Sequence, residues 1–235
     1  MTEHRVRTID LDNPFAQSFE GMCELLLVRH GEQKFHENIK LGEALDAPLS
    51  ELGRAQARAV GERLAPARLG MVFCSPMQRA YDTANEIAKH HALTPIVRDE
   101  LREIDLWQKA PQDKGLLELY SKQELAEIYR AVSRSRRHSA YPHVENVDEF
   151  RDRVVRAIDQ IAEEGVGQRV VVACHGGVIN AYLSHLFGSS YDLLVSVHHT
   201  SITVIRAADT RRAVMTINDY SHVMAIQSHR GDLNA

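Results

Sequence analysis

Two arginines and two histidines are the residues of this sequence whose types and spacing could carry chemistry. They are Arg29, His30, Arg79 and His175. Gathered in one cleft, they suit a tetrahedral dianion such as phosphate, because each guanidinium grips two oxygens through its planar fork. An unprotonated imidazole nitrogen can also attack phosphorus. Neighbouring arginines would lower the pKa of His30 and keep its ring free for that attack.

A proton donor for the departing alkoxide would complete a site that breaks a phosphoester. Glu103 lies in the segment LREIDLW, just after a predicted strand, and can enter the cleft from the opposite side. Glu100 and Asp105 are competing carboxylates in the same stretch. We select Glu103 as the predicted acid.

Three short apolar runs must position the cationic residues. The runs 24–28, 71–74 and 169–174 are largely apolar without alternation, which is typical of strands covered on both faces. Each run is followed by a sharp turn. In open α/β sheets the ligand site lies just beyond the carboxyl ends of the strands. We therefore expect the side chains that follow these three runs to converge.

The rest of the chain alternates predicted helices with predicted strands. The helices cover about 50–64, 76–91 and 146–161, the further strands are 95–97, 201–206 and 213–218, and residues 32–49 form a loop. Residues 104–145 are irregular, with helical pieces near 115–119 and 121–134, and they predict an inserted lid. The predicted fold class is α/β, a three-layer sandwich with a mostly parallel central sheet flanked by helices.

Composition excludes several classes of protein. The 235 residues suit one large domain, predicted over 23–225, with an N-terminal arm at 1–22 and a C-terminal tail at 226–235. A net charge of −4 argues against a nucleic-acid partner and an electrostatic membrane binder, and no apolar run is long enough to span a membrane. Three cysteines without CxxC spacing and a polar first segment predict a cytoplasmic location. The remaining histidines, among them His199, are scattered and are predicted to be mostly structural or exposed.

Six short segments occur in an order that is similar to the pattern of a known family. They are LLVRHGE at 26–32, DAPLSELGRAQA at 46–57, SPMQRAYDTA at 75–84, LREI at 101–104, VACHGG at 172–177 and NDYSHV at 218–223. The RHG tripeptide alone is weak, but the combination is specific. On these segments the chain resembles the histidine phosphatase superfamily, also called the phosphoglycerate mutase-like superfamily, over about residues 24–223.

The resemblance implies a role for each residue of the cationic set. His30 becomes a phosphohistidine, while Arg29, Arg79 and His175 hold the phosphoryl group. Glu103 protonates the leaving group and then activates water. The implied activity is a metal-independent phosphomonoester hydrolase that acts on a small phosphorylated substrate, with no metal and no other cofactor. The oligomeric state stays open, a homo-oligomer included.

The loop after the RHG segment departs from the family pattern. Gln33 and His36 stand where the family commonly carries Thr or Ser and then Asn, and Asn38 lies two residues further on. We keep Gln33 among the predicted phosphate-binding residues, together with Gly176 at the start of the helix that follows His175.

Two other functions remain alternatives at this point. A phosphoglycerate mutase-type phosphomutase would need further basic residues, and Arg136-Arg137 superficially resembles such a pair. The long segment and proline run typical of the mutases are missing. An inactive phospholigand-binding module is the third reading, although every core position carries a competent residue type.

Overall fold

The structure is a computed structural model and describes residues 21–36 and 39–224. The predicted C-terminal tail at 226–235, Asn38, and the predicted arm at 1–22 apart from Gly21 and Met22 lie outside the described residues. These assignments, and the lid role of residues 104–145, stay predictions.

A six-stranded sheet forms the centre of the fold. Its strands are β1 (Cys23–Arg29), β2 (Met71–Cys74), β3 (Ile96–Val97), β4 (Arg169–Cys174), β5 (Ile202–Ala208) and β6 (Arg211–Asp219). The order across the sheet is β3-β2-β4-β1-β5-β6. The strands β1 to β4 pair in parallel, and β5 and β6 are antiparallel to their neighbours. The prediction of a mostly parallel sheet is confirmed.

Helices cover both faces of this sheet. They are α1 (Leu41–Leu45), α2 (Glu51–Leu64), α3 (Gln78–Ala88), α4 (Leu116–Leu119), α5 (Lys122–Ser135), α6 (Val147–Glu164) and α7 (Gly176–Leu186). Short 3-10 turns lie at Lys89–His91, Asp99–Leu101, His138–Ala140 and Ser221–Val223. In the described part of the chain, no helix combines the length and the apolarity that a bilayer crossing needs.

The central strand β1 shows why its sequence is apolar at nearly every position. Leu25 and Leu27 pack into the core beside α6 and α7. Leu26 and Val28 pack on the opposite face, beside α2 and α3. Since successive side chains of a strand point to opposite faces, a strand buried on both sides needs apolar residues at consecutive positions. The three-layer arrangement follows from this pattern.

Two local elements differ from the sequence-based prediction. The predicted loop 32–49 contains the short helix α1, whose Leu41 is buried and whose Gly42 amide donates to the Gln112 carbonyl at 3.0 Å. Helix α3 begins at Gln78 rather than at Pro76, because the Met77 backbone is extended (φ −63°, ψ 132°) and the Gln78 amide donates to Asp46 Oδ1. Both differences arise from contacts between segments that are distant in sequence.

Candidate active site

The carboxyl ends of β1 and β4 bring two of the predicted residues side by side. Arg29 is in register with Cys174, and the His30 amide donates to the Cys174 carbonyl at 2.9 Å. His30 directly follows Arg29, and His175 directly follows Cys174. Their rings therefore lie close together, with centroids 5.0 Å apart. This convergence is the one that the parallel arrangement predicted.

Arg79 reaches the same point from the second residue of α3. Its Nε donates to His30 Nε2 at 3.2 Å, and its Nη1 donates to the Leu45 carbonyl at 2.8 Å. The side chain is buried, with 4% of its surface exposed. The structure thus gathers all four predicted cationic residues at one site.

The hydrogen bonds of His30 define which of its nitrogens can attack. Nδ1 lies 2.6 Å from the Gly31 carbonyl, which can only accept, so we assign the ring proton to Nδ1. Nε2 then carries the lone pair, in agreement with the Arg79 Nε–H that points at it. The nucleophilic nitrogen is therefore Nε2, and it faces the guanidinium group of Arg79.

Both site histidines are held neutral by their surroundings. Burial lowers the pKa of His30 well below its usual value, and repulsion from His175 when that ring is protonated, from Arg79 and from Arg29 lowers it further. Burial likewise lowers the pKa of His175, followed by the charges of Arg79 and Arg29. We predicted from the sequence that the arginines would keep His30 unprotonated. The direction is as predicted, but burial is the larger cause.

Two buried donors of the site have no hydrogen-bond partner among the described residues. They are Arg29 Nε and His175 Nδ1. The Ser75 hydroxyl accepts from the Met77 amide and lies 2.9 Å from His175 Nε2, so its own proton can go to that nitrogen and leave the ring proton on Nδ1. An unpaired buried N–H costs free energy comparable to a lost hydrogen bond. An anion with several oxygens would relieve both donors.

Glu103 lies beside this cationic group and its carboxylate is oriented by backbone amides. Oε2 accepts from the Gly177 amide at 3.0 Å, and Oε1 accepts from the Ile104 amide at 3.1 Å. A Cβ atom added to Gly177 would lie 2.3 Å from Glu103 Oε1, so only glycine leaves room for the carboxylate here. Burial lowers the pKa of Arg29, and the nearby Glu103 charge opposes that shift.

The two competing carboxylates occupy other positions. Glu100 is exposed on the 3-10 turn that precedes Glu103. Asp105 uses its Oδ1 to accept from the Trp107 amide at 3.0 Å. The geometry therefore favours Glu103 as the acid. Its role as proton donor stays a prediction.

The segment that carries Glu103 is fastened to α6 by one arginine. Arg153 Nη1 donates to the carbonyls of Glu100 and Arg102, at 2.8 and 3.0 Å. Glu145 accepts from the Asp105 amide at 2.9 Å and also pairs with Arg153. These contacts fix the backbone on both sides of Glu103.

Two further predicted phosphate contacts, Gln33 and Gly176, lie near Arg29. Gln33 forms a β-bridge with Leu49 and lines a cavity of about 700 Å³ that opens beside Arg29. Gly176 begins α7 next to Arg29. At the start of α3, the Gln78 amide donates to Asp46 Oδ1. The phosphate contacts of Gln33 and Gly176 stay predictions.

One residue beside His30 was not among the predicted site residues. His199, predicted with the scattered histidines, lies with its ring centroid 5.7 Å from that of His30. Burial, followed by the charge of Arg29, lowers the pKa of His199 to about 3. No local pattern identifies this residue, because it lies in the turn that leads into β5 and not after a parallel strand.

A metal centre is not part of the described arrangement. Over residues 21–36 and 39–224, no group of three or more His, Cys, Asp or Glu side chains is placed to hold a metal ion. The three cysteines are buried and free.

Comparison with known proteins assigns the family. Residues 25–220 match the model of the histidine phosphatase superfamily, branch 1. The chain belongs to the histidine phosphatase superfamily.

Individual relatives of this superfamily agree with the assignment. The chain is 31% identical over 205 residues to phosphoglycerate mutase-like protein 4 of Arabidopsis thaliana, covering 86% of this chain and 87% of the relative. It is 31% identical over 209 residues to the metal-independent phosphoserine phosphatase of the same plant, covering 87% and 85%. The solved structure of Bacillus stearothermophilus YhfR superposes with a TM-score of 0.71 at 27% identity, covering 86% and 99%. The predictions of the family, the α/β fold and the phosphatase class are confirmed.

Proposed function

We propose that this histidine phosphatase hydrolyses small phosphomonoesters through a phosphohistidine formed on His30. The observation that carries the proposal is a pair of donors, Arg29 Nε and His175 Nδ1, that find no partner among the described residues and lie around a neutral His30 whose Nε2 bears a lone pair. A phosphoryl group offers the oxygen acceptors that these donors lack, and its phosphorus is the electrophile that the lone pair can attack.

The first step transfers the phosphoryl group to the enzyme. Nε2 of His30 forms a bond to phosphorus while the ester P–O bond breaks. Arg29, Arg79 and His175 hold the phosphoryl oxygens and stabilise their charge. The carboxyl group of Glu103 gives its proton to the departing alkoxide oxygen.

The second step returns the enzyme to its starting state. Glu103, now a carboxylate, takes a proton from a water molecule as the water oxygen attacks phosphorus. The P–N bond breaks, inorganic phosphate is released, and His30 regains its lone pair. The amides of Gly177 and Ile104 orient the Glu103 carboxylate for both proton transfers.

The cationic cluster supplies the charge stabilisation that a metal ion would supply in other phosphatases, and a relative at 31% identity is named a metal-independent phosphatase. Because the names of the relatives include phosphoserine phosphatases and phosphoglycerate mutases, a small phosphorylated metabolite is the substrate class that they favour. Three free thiols agree with a reducing, cytoplasmic location, which stays part of the proposal.

The mutase alternative finds little support in the lid. Arg136, a candidate second phosphate ligand, donates from Nε to the Leu193 carbonyl and from Nη2 to the Leu194 carbonyl, and it lies over the Tyr191 ring. These hydrogen bonds engage the Arg136 guanidinium and hold the predicted lid against residues 193–194.

Release of inorganic phosphate from p-nitrophenyl phosphate in the presence of EDTA tests the proposal. We expect turnover by the wild type, and a loss of at least about 10⁴-fold in His30→Ala, because the nucleophile is gone. His90→Ala, which changes an exposed histidine outside the site, should leave the rate unchanged. Equal rates in the wild type and His30→Ala would overturn the proposal. Interconversion of phosphoglycerates without release of phosphate would favour the mutase instead.

A further inference from the structure

The turn that precedes β5 brings a third imidazole to the site. Across the sheet, β1 lies between β4 and β5, so His30 is flanked by His175 from one neighbour and by His199 from the other. The ring of His199 is 5.7 Å from that of His30, at an interplanar angle of 51°. The reaction steps described above give His199 no role, although it lies beside the nucleophile.

The backbone of this turn is strained next to His199. Thr200 adopts φ 58°, in the left-handed region, although it is a buried β-branched residue. Such a conformation costs of order 1–3 kcal/mol and persists only where the surroundings enforce it. The Thr200 amide donates to the Arg29 carbonyl at 3.0 Å, so the strained residue is tied directly to the end of β1.

Further contacts fasten the same turn to the cationic cluster. Arg29 Nη1 donates to the Val197 carbonyl. Asn218, itself at φ 61°, donates from Nδ2 to the Ser196 carbonyl at 2.9 Å and accepts from the His198 amide at 2.8 Å. These contacts fix the backbone that carries His199.

The hydrogen-bonding groups of the His199 ring are available. Within the described residues the ring contacts the ring of His30 and forms no hydrogen bond. Together with Arg29 it lines the cavity of about 700 Å³ described above. Burial and the Arg29 charge hold the pKa of His199 at about 3, so the ring is neutral at ordinary pH and offers one N–H and one lone pair.

We propose that His199 is a further catalytic residue of the phosphoryl transfer, whose N–H donates a hydrogen bond to an oxygen of the phosphoryl group as it moves to His30. This inference rests on the proposed function. A neutral donor suits this place, because Arg29 and Arg79 already supply positive charge and a third cation beside His30 would be repelled.

Two substitutions separate this role from simple packing against His30. His199→Phe keeps an aromatic ring of similar size and removes the N–H, whereas His199→Gln keeps an N–H donor and removes the ring. We expect kcat/KM for p-nitrophenyl phosphate to fall about 10- to 100-fold in His199→Phe, in line with the loss of one donor to a charged group. We expect His199→Gln to stay within several-fold of the wild type. The same change at an exposed site, His90→Phe, is the matched control.

Inhibition by orthovanadate supplies a second readout, since a pentacoordinate vanadate resembles the group in transfer. The inhibition constant should rise in His199→Phe by about the same factor as kcat/KM falls. The melting temperature of each variant reports its folding, and His199→Leu removes the N–H in the same way if His199→Phe is unfolded.

The outcomes distinguish the inference from the function on which it rests. An inactive wild type would overturn both. An active wild type in which His199→Phe is as fast as the wild type, or faster than His199→Gln, would overturn the role of His199 alone and leave the phosphohistidine mechanism intact.

Discussion

The two ends of the central sheet both bury charge, but they treat it differently. At the amino end of β1, Glu24 accepts from Arg169 at 2.6 Å and from Arg206 at 3.1 Å, and both Glu24 and Arg169 are only 2% exposed. At the carboxyl end, Arg29 and Arg79 lie beside two neutral histidines. Glu103 is near both arginines and Asp46 is near Arg79, but Glu103 is turned towards backbone amides.

The difference in ion pairing between the two ends distinguishes charges that stabilise the fold from charges that are available to a ligand. Opposite charges that are buried and hydrogen-bonded to one another offset their own desolvation, and removal of one partner is costly. Buried cations that lack anions destabilise the free protein, and such strain is typical of functional sites. We therefore interpret the amino end as a structural ion cluster, and we propose that the carboxyl end is a binding site for an anion.

Paired arginine substitutions give the largest contrast between the two ends. Arg79→Gln should lower kcat/KM by about 10³-fold, because a donor to the transferring phosphoryl group is lost, while the free energy of unfolding does not fall. Arg169→Gln should lower the free energy of unfolding by about 3–5 kcal/mol through the broken buried pair, with kcat/KM of the folded fraction unchanged. Denaturant unfolding and steady-state kinetics measure both quantities.

The opposite pattern would remove the distinction. If Arg79→Gln unfolds the protein and Arg169→Gln abolishes turnover without loss of stability, the carboxyl-end cations are structural and the amino-end cluster is functional.

Glu103 provides a smaller effect that depends on the substrate. Glu103→Gln cannot donate a proton to the leaving group, so we expect kcat/KM to fall about 10²-fold or more for alkyl phosphates and little for p-nitrophenyl phosphate, whose leaving group needs no proton. Glu100→Gln, at an exposed position on the preceding turn, is the matched control. Equal losses for good and poor leaving groups would exclude Glu103 as the acid.

The pH dependence of stability gives the smallest effect. The pKa values of His30 and His175 are lowered in the folded protein, whereas in the unfolded chain they are about 6.5. Below pH 6.5 these two histidines therefore bind protons in the unfolded chain but not in the folded protein. The free energy of unfolding then falls as the pH decreases, by up to about 1.4 kcal/mol per pH unit for each histidine. His175→Asn should show a shallower slope between pH 6.5 and 5 than the wild type. A slope equal to that of the wild type would show that His175 is not held neutral by the fold.

The cationic cluster could be predicted from the sequence because parallel strands end at the same side of the sheet. Arg29, His30 and His175 directly follow or end such strands, so their convergence needed no knowledge of the loops. Arg79 was placed correctly although its helix begins two residues later than expected, since the residue still lies in the first turn.

Several motif residues support the backbone of the site but have no role in the proposed reaction steps. Thr83 accepts from the Gly31 amide at 3.1 Å, and Gln56 accepts from the Glu32 amide at 2.8 Å, so both hold the turn after His30. Gly53 packs so close to this turn that an added Cβ would lie 1.9 Å from the Glu32 carbonyl oxygen. The sequence showed that these positions matched a family pattern, and the structure supplies the physical reason.

The position of His199 and the helix α1 could not be predicted because long-range contacts create them. His199 is brought to His30 by the antiparallel return of β5, and α1 is fixed by contacts with residues 112–115 of the predicted lid. Neither feature leaves a periodic or motif signal in the local sequence.

Trapping the phosphoenzyme tests the central claim most directly. Glu103→Gln should slow attack by water more than phosphorylation by p-nitrophenyl phosphate, so the intermediate accumulates and can be quenched in alkali. We predict one acid-labile, alkali-stable phosphate per chain, located by peptide mapping on His30 and lost in the variant that also carries His30→Ala. Turnover without any phosphoenzyme, or a phosphate on another residue, would contradict the account.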